Sequence, residues 1–343
     1  MQEPFNIPDH INKLRRTLVV FTAAVMLLAL FIFITSKNPS IIDFSSPEEG
    51  PWELKDPVTA FSSGEMPGEV KYGYMILTET SKWIGPDAHD TQMRFSGNHL
   101  SCTNCHLTQG TQAGSASWVG VPGRFPQFRG RENKEGTLQE RINGCMERSM
   151  NGKAIPEGSR EMGAMIAYME WISEGLPPEM EANYKGFTDL KIPEVKVDLM
   201  AGKAVYDREC VICHGDDGQG IPSESGYQYP PLWGNDTYNN GAGMHRVLTA
   251  ARFIKANMPF GIATKENPKL TDEEAYHVAG YINSFDRPEK PGLERDFPDL
   301  KLKPVSTPYG PWADEFSEEQ HRWGPFLPII EFYKKEYGIT KTK

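Results

Sequence analysis

Positive charge is scarce in this chain of 343 residues, because 36 lysine and arginine residues stand against 46 aspartate and glutamate residues, for a formal net charge of -10. A protein that binds nucleic acid needs an extended basic surface, and no segment of this sequence supplies one. The acidic balance therefore argues against nucleic acid as a partner. Cysteine is scarcer still, with five residues in all.

Four of the five cysteines stand in two identical motifs, Cys102-Thr-Asn-Cys105-His106 and Cys210-Val-Ile-Cys213-His214. A C-x-x-C-H motif is typical of a covalently attached c-type haem, in which two thioethers hold the porphyrin and the histidine ligates the iron. Cysteine pairs outside the cytoplasm can also form disulfides, but a histidine directly after both pairs favours haem. The motifs predict two haem c groups, with His106 and His214 as iron ligands.

A charge-free apolar run occupies residues 17–35 and is long enough to span a bilayer as a helix. Lys13, Arg15 and Arg16 precede it, and positive flanks stay on the cytoplasmic side. No small-residue cleavage site follows the run. We therefore expect a single-pass anchor in the cytoplasmic membrane, with the N-terminus in the cytoplasm and the haem domains in the periplasm or on the outer side.

The rest of the chain repeats one plan. Each haem motif follows a short helical pattern and precedes a glycine-rich loop and a closing apolar helix, at residues 162–172 and 272–285. The repeat predicts an all-α protein of two fused cytochrome c-type domains, each with one covalently bound haem c, plus an N-terminal transmembrane helix.

Proline, glycine and charge patterns divide the chain further. The predicted segments are a cytoplasmic stub and transmembrane helix at 1–36, a linker at 37–67, cytochrome c domain 1 at 68–185, cytochrome c domain 2 at 194–290 and a C-terminal arm at 291–343. The arm is too aromatic for a disordered tail. We expect it to wrap over the domains, with a docking surface for a partner as the alternative.

Each haem iron needs a sixth ligand or leaves a position open. In domain 2, Met258 follows His214 by 44 residues within an Asn-Met-Pro sequence, so we expect it to be the distal ligand. Met244 is the alternative, and its ordinary role would be core packing. His/Met ligation raises the reduction potential and makes haem 2 the expected electron exit.

In domain 1, the fifth cysteine, Cys145, follows His106 by 39 residues, at the place where the repeat predicts a distal ligand. Met146 and Met150 are close enough to compete, and a lone cysteine is often only a small buried side chain. The matching position and the basic neighbourhood favour thiolate ligation, which would hold haem 1 at a low potential.

The neighbours of Cys145 indicate what its sulfur meets. If residues 138–150 form one helix, then Arg141, Cys145 and Ser149 share a face. Arginine on that face, with Arg131 upstream, offers bidentate donors to a tetrahedral oxyanion. Surface charge or pairing with haem propionates is the alternative for two or three of these arginines.

Residues 124–160, which include Arg148, carry eight lysine or arginine residues against five glutamates. This local excess in an acidic chain predicts an anion site. A sulfur nucleophile on a redox iron, beside arginines, points to sulfur oxyanion chemistry, in which a sulfane sulfur couples to the cysteine sulfur.

Several long segments carry a family resemblance: RINGCMERSMNG, VPGRFPQFRGR before it, AYMEWIS after it, and PPLWGNDTYNNGAGMHR and FIKANMPFG in the second half. Over roughly residues 72–285, the chain closely resembles the dihaem thiosulfate dehydrogenases. The resemblance implies interconversion of two thiosulfates and one tetrathionate, with haem 1 as active site and haem 2 passing electrons to an external carrier. Matching positions are His106 and Cys145 for haem 1, Arg131, Arg141 and Ser149 for the substrate, and His214 and Met258 for haem 2.

The resemblance also implies a mechanism. Arg131 and Arg141 would hold the sulfonate oxygens while Cys145 leaves the iron and bonds the sulfane sulfur. A second thiosulfate would attack that sulfur and release tetrathionate, and Ser149 would donate a hydrogen bond to the anion or to the cysteine sulfur.

The sequence departs from the family pattern in two places. Some members carry a lysine ligand just before the methionine, where this chain has Asn257, which favours plain His/Met ligation of haem 2. Many relatives are soluble periplasmic proteins, whereas this chain carries the expected anchor.

The external electron carrier would be a cytochrome c or a terminal oxidase. Alternative functions are a non-catalytic, membrane-anchored dihaem electron-transfer cytochrome of a respiratory complex, or an enzyme acting on another small anion or a protein-bound sulfur.

Overall fold

The computed structural model of the protein describes residues 7–37 and 52–342. Its α-helices are, in chain order, α1 Ile7–Lys37, α2 Pro57–Ser63, α3 Gly68–Thr78, α4 Thr80–Ile84, α5 Leu138–Met146, α6 Arg160–Ser173, α7 Glu181–Tyr184, α8 Leu199–Glu209, α9 Val211–His214, α10 Val247–Asn257, α11 Asp272–Asn283, α12 Glu318–Trp323 and α13 Leu327–Tyr337. The all-α prediction is confirmed in its main part.

Two short antiparallel hairpins are additions that the sequence analysis did not predict. Their strands are β1 Gln127–Arg129 with β2 Lys134–Gly136, and β3 Ile221–Ser223 with β4 Gly226–Tyr229. The β1–β2 hairpin lies between the first haem-attachment motif and α5, which carries Cys145. The β3–β4 hairpin lies between the second motif and α10, which directly precedes Met258. The hairpins therefore belong to the loops around the two sites and not to the helical core.

The α1 helix forms a unit separate from the body, which begins at Glu53. Its stretch Ile11–Ile34 is long and apolar enough to cross a membrane, and its described apolar side chains are exposed along its length. A helix of this length and composition near an N-terminus fits a membrane anchor or a signal peptide.

The body contains the predicted repeat, because α3 crosses α6 in the first half and α8 crosses α11 in the second. A glycine stands at each crossing. A Cβ atom on Gly73 would lie 2.0 Å from the carbonyl oxygen of Ala164, and one on Gly202 would lie 2.2 Å from that of His277. The two helix pairs therefore approach so closely that no larger residue fits at either position.

The C-terminal part of the predicted linker is instead the first helix of the body. The Asp56 carboxylate caps α2 by accepting hydrogen bonds from the backbone of Val58 and Thr59. Phe61 of this helix stacks on Tyr74 of α3, with ring centroids 4.7 Å apart. The linker prediction is therefore wrong for this part. Residues 38–51 lie outside the described residues.

The C-terminal arm packs against the second domain, as its aromatic content predicted. Phe326, Ile329 and Tyr333 are buried in the domain core. The carbonyl oxygen of Trp323 accepts hydrogen bonds from the backbone of Val197 at 2.8 Å and from the Tyr276 hydroxyl at 3.0 Å. The arm is thus an integral layer of this domain.

Candidate active site

The first haem-attachment motif lines a cavity in domain 1. Cys102, Cys105, His106 and Cys145 all contribute to its wall. The Nδ1 atom of His106 donates to the carbonyl oxygen of Ala116 at 2.8 Å. This bond fixes the imidazole tautomer and leaves Nε2 available to ligate iron, as haem attachment requires.

The second motif repeats this geometry in domain 2. His214 Nδ1 donates to the carbonyl oxygen of Pro230 at 2.8 Å, so its Nε2 is likewise available. The surrounding cavity of about 520 Å³ is lined by Cys210, Cys213, His214 and Met258. Its volume lies within the usual range for a cofactor pocket, and its two cysteines and His214 fit a covalently attached haem.

The Cys145 sulfur lies on the last turn of α5 and meets two cationic or hydrogen-bonding groups. The Arg141 guanidinium donates to it at 2.7 Å, and His106 also hydrogen-bonds it. Burial alone raises the pKa of the Cys145 thiol, but the charge of Arg141 and the bonds from His106 and Arg141 outweigh burial and lower the pKa to about 6. The lowered pKa therefore favours the thiolate form of Cys145 at neutral pH.

The competing methionines of domain 1 line the same cavity but differ in their contacts. Met146 and Met150 are almost fully buried side chains in its wall. Cys145, by contrast, hydrogen-bonds His106, and the cavity that they line has a volume of about 70 Å³. Cys102, Cys105 and His106 in the same wall fit a covalently attached haem.

The α5 helix ends at Met146 and does not continue to residue 150. The backbone amides of Arg148 and Met150 both bond to the carbonyl oxygen of Cys145, at 3.2 and 3.0 Å, which forms a closing turn. The prediction of one helix over residues 138–150 is therefore wrong in its last turn. Ser149 still lines the cavity with Cys145, because the turn directs it there.

The two arginines predicted for the substrate lie in different places. Arg141 contacts Cys145. Arg131 instead donates to the carbonyl oxygen of Gly241 at 3.1 Å and lies 3.6 Å from the carboxylate of Asp296. Burial, reinforced by neighbouring arginines, lowers the pKa of Arg131 to about 9.

Asn257 has a structural role that the sequence analysis did not predict. Its amide nitrogen donates to the carbonyl oxygens of Gly114 at 3.0 Å and Phe253 at 2.8 Å, and its oxygen accepts from Gln112 at 2.8 Å. Asn257 therefore ties the start of the Met258 loop to the segment that follows His106 in domain 1. With every polar group of this amide engaged, its oxygen and nitrogen are unavailable to a metal.

The two cavities share a wall. Leu100, Cys105, Tyr238 and Met244 line both of them. Met244, the alternative ligand for haem 2, is thus part of the partition between the cavities.

Two family models match the body of the chain. The SoxA/TsdA cytochrome c domain matches residues 89–177, and the cytochrome c domain matches residues 199–286. Each matched range contains one C-x-x-C-H motif. The two cytochrome c domains therefore carry two covalent haem c groups.

Curated relatives share a single name. The thiosulfate dehydrogenase of Stutzerimonas stutzeri (strain A1501) is 40% identical over 243 residues, which cover 71% of this chain and 74% of that protein. The one from Allochromatium vinosum is 36% identical over 271 residues, or 78% and 92% of the two chains. The solved thiosulfate dehydrogenase TsdBA of Marichromatium purpuratum is 31% identical with a TM-score of 0.59, and the match covers 68% of this chain and 52% of that one.

Proposed function

Because this chain belongs to the thiosulfate dehydrogenase family, we propose that it is an oxidoreductase that interconverts two thiosulfate ions and one tetrathionate ion. The observation that carries this proposal is the cavity in which the Cys145 sulfur contacts both Arg141 and His106. Such a reaction needs a deprotonated sulfur to bond the sulfane sulfur and a cation to hold the sulfonate. Cys145 and Arg141 supply both within one helical turn.

We further propose His106 and Cys145 as the axial ligands of haem 1, and His214 and Met258 as those of haem 2. The support is that each pair lines one cavity and that both histidines bind a backbone carbonyl through Nδ1, which leaves Nε2 to face the cavity. When bound, each haem takes up or gives one electron, so that the two together handle the two electrons of one S–S bond.

The residues around the first cavity then have defined tasks. The Cys145 sulfur bonds the sulfane sulfur of a first thiosulfate, and two electrons leave as that S–S bond forms. A second thiosulfate attacks the same sulfane sulfur. The bond to Cys145 breaks, its electron pair returns to the Cys145 sulfur, and tetrathionate leaves without any net proton transfer. The reverse sequence reduces tetrathionate.

Arg141 is the arginine that we propose for the sulfonate oxygens, since it reaches the reacting sulfur. Ser149 lines the same cavity and donates its hydroxyl hydrogen bond to the anion or to the Cys145 sulfur. Arg131 is already bound to Gly241 and Asp296, so its contact with the substrate stays a prediction from the family resemblance.

The second cavity opens at an apolar, acidic surface, which we propose as the electron exit. Ile212, Phe260 and Ile262 are 86%, 51% and 63% exposed next to the residues that line it. Residues 209–245 carry five carboxylates and no lysine or arginine. This pattern fits a soluble carrier with a basic rim around its own redox centre, such as a cytochrome c. A terminal oxidase is the alternative carrier.

We also propose that α1 is retained as a single-pass anchor in the cytoplasmic membrane. Lys13, Arg15 and Arg16 precede its apolar stretch, which favours an N-terminus in the cytoplasm and haem domains on the outer side. Thiosulfate, tetrathionate and the carrier would then meet the body outside the cytoplasm.

Replacing Cys145 with alanine or glycine removes the proposed sulfur acceptor. We expect thiosulfate-dependent reduction of an electron acceptor to fall by about 10³-fold or more, while the haem content of the protein stays at two per chain. Met150→Leu is the matched control, because it replaces another sulfur side chain in the same cavity. Turnover retained in Cys145→Ala, or lost equally in Met150→Leu, would contradict the role of Cys145.

Replacing Ile212 with lysine places a positive charge at the centre of the proposed docking surface. We expect kcat/KM for a basic cytochrome c acceptor to fall about tenfold, because the lysine repels the carrier. The rate at which thiosulfate reduces the haems of this protein should not change. Met200→Lys is the control, since Met200 is similarly exposed on α8; an equal loss in both variants would rule out a specific surface.

Cell fractionation checks the anchor. Full-length protein should sediment with membranes, be released by detergent but not by high salt, and start at its own N-terminus by mass spectrometry. A soluble periplasmic form that lacks residues 1–36 would instead identify this segment as a signal peptide.

A further inference from the structure

Three buried arginines carry guanidinium nitrogens that have no hydrogen-bond partner among the described residues. The residues are Arg148, Arg246 and Arg287, which are 9%, 7% and 9% exposed, and the atoms are Nε of Arg148, Nη2 of Arg246, and Nε and Nη1 of Arg287. A buried charge with unmade hydrogen bonds is costly, so native proteins pair such groups.

The nearby carboxylate of Asp296 does not meet this need. Its Oδ1 atom accepts from Arg148 at 2.6 Å, and its Oδ2 atom accepts from the Tyr309 hydroxyl at 2.7 Å. Arg131 lies 3.6 Å from the same carboxylate. The ammonium group of the fully buried Lys303 is also close enough to Asp296 for the carboxylate charge to act on its pKa. Positive charge therefore exceeds negative charge in this part of the interior.

These cations lie around the wall between the two haem cavities. The Arg287 guanidinium is 4.4 Å from the ring centroid of Tyr238, a residue that lines both cavities. Arg246 follows Met244, another residue of the wall, by two positions, and Arg148 directly precedes Ser149 in the wall of the first cavity. Arg287 thus contacts a side chain that lines both cavities, and Arg148 and Arg246 stand within two positions of cavity-lining residues in the chain.

We infer that Arg148, Arg246 and Arg287 bind the propionate carboxylates of the two haem c groups. Each haem brings two carboxylates, which are the partners that a guanidinium fork matches best. The two haems would then share one internal charge cluster. This inference depends on haem attachment and not on the identity of the substrate, so it can fail while the proposed function stands.

The variants Arg246→Gln and Arg287→Gln test this inference in the holoprotein. A cation beside a haem favours the reduced iron, because reduction adds negative charge to the haem. At a fixed solution potential, the ratio of reduced to oxidised haem should therefore fall about tenfold for at least one haem in each variant. Redox titration followed by absorbance measures this ratio without any substrate.

Arg252→Gln is the matched control. Arg252 lies on α10, which Arg246 directly precedes. Its Nε atom also has no hydrogen-bond partner in the described part of the chain, but Arg252 is only partly buried and its Nη2 atom donates to the carbonyl oxygen of Thr342 in the C-terminal arm. We expect its loss to leave both haem potentials unchanged. The charge-preserving Arg246→Lys should restore most of the wild-type ratio. Wild-type potentials in both glutamine variants, or an equal shift in Arg252→Gln, would overturn the inference.

A crystal structure of the wild-type holoprotein gives an answer even if a variant fails to fold. The inference requires propionate oxygens within about 3.2 Å of guanidinium nitrogens of these arginines. Propionates that point to solvent, with water or a small anion on the arginines instead, would contradict it.

Discussion

A thiolate inside a cavity needs positive charge next to it, and the contact between Arg141 and Cys145 supplies that charge. The geometry comes from one short helix. Thr137 and its capping box fix where α5 begins, and the four-residue spacing then places the guanidinium beside the sulfur. Because the helix stops one residue after Cys145, the following turn directs Ser149 to the cavity and brings the Arg148 guanidinium to Asp296.

The duplicated scaffold explains how one chain builds two different sites. Gly73 and Gly202 allow the same close helix crossing in both halves, and both attachment histidines are held by a backbone carbonyl in the same way. The halves differ in a sulfur residue that lines each cavity together with its histidine, Cys145 in the first and Met258 in the second. We propose that Cys145 makes the first half reactive and that Met258 makes the second an electron relay, with Tyr238 and Met244 in the wall between them.

Sequence reasoning succeeded where the signal was local and failed where it was not. The two haem motifs and the closing helices are short-range or periodic patterns, so they could be predicted directly. Arg148 binds Asp296, 148 positions away, and Asn257 binds Gly114, 143 positions away. Such pairs leave no local pattern, so the burial of Arg148 and the role of Asn257 could not be predicted. The same holds for α2, whose apolar contact is with α3.

The central claim is that the sulfur of Cys145 accepts the sulfane sulfur of thiosulfate. The most direct measurement mixes oxidised holoprotein with one equivalent of thiosulfate without oxygen, records haem absorbance, and then maps the protein by mass spectrometry. We expect haem reduction together with a mass increase of one thiosulfate group on the peptide that contains Cys145. Reduction of the haems with an unmodified Cys145 peptide would contradict it.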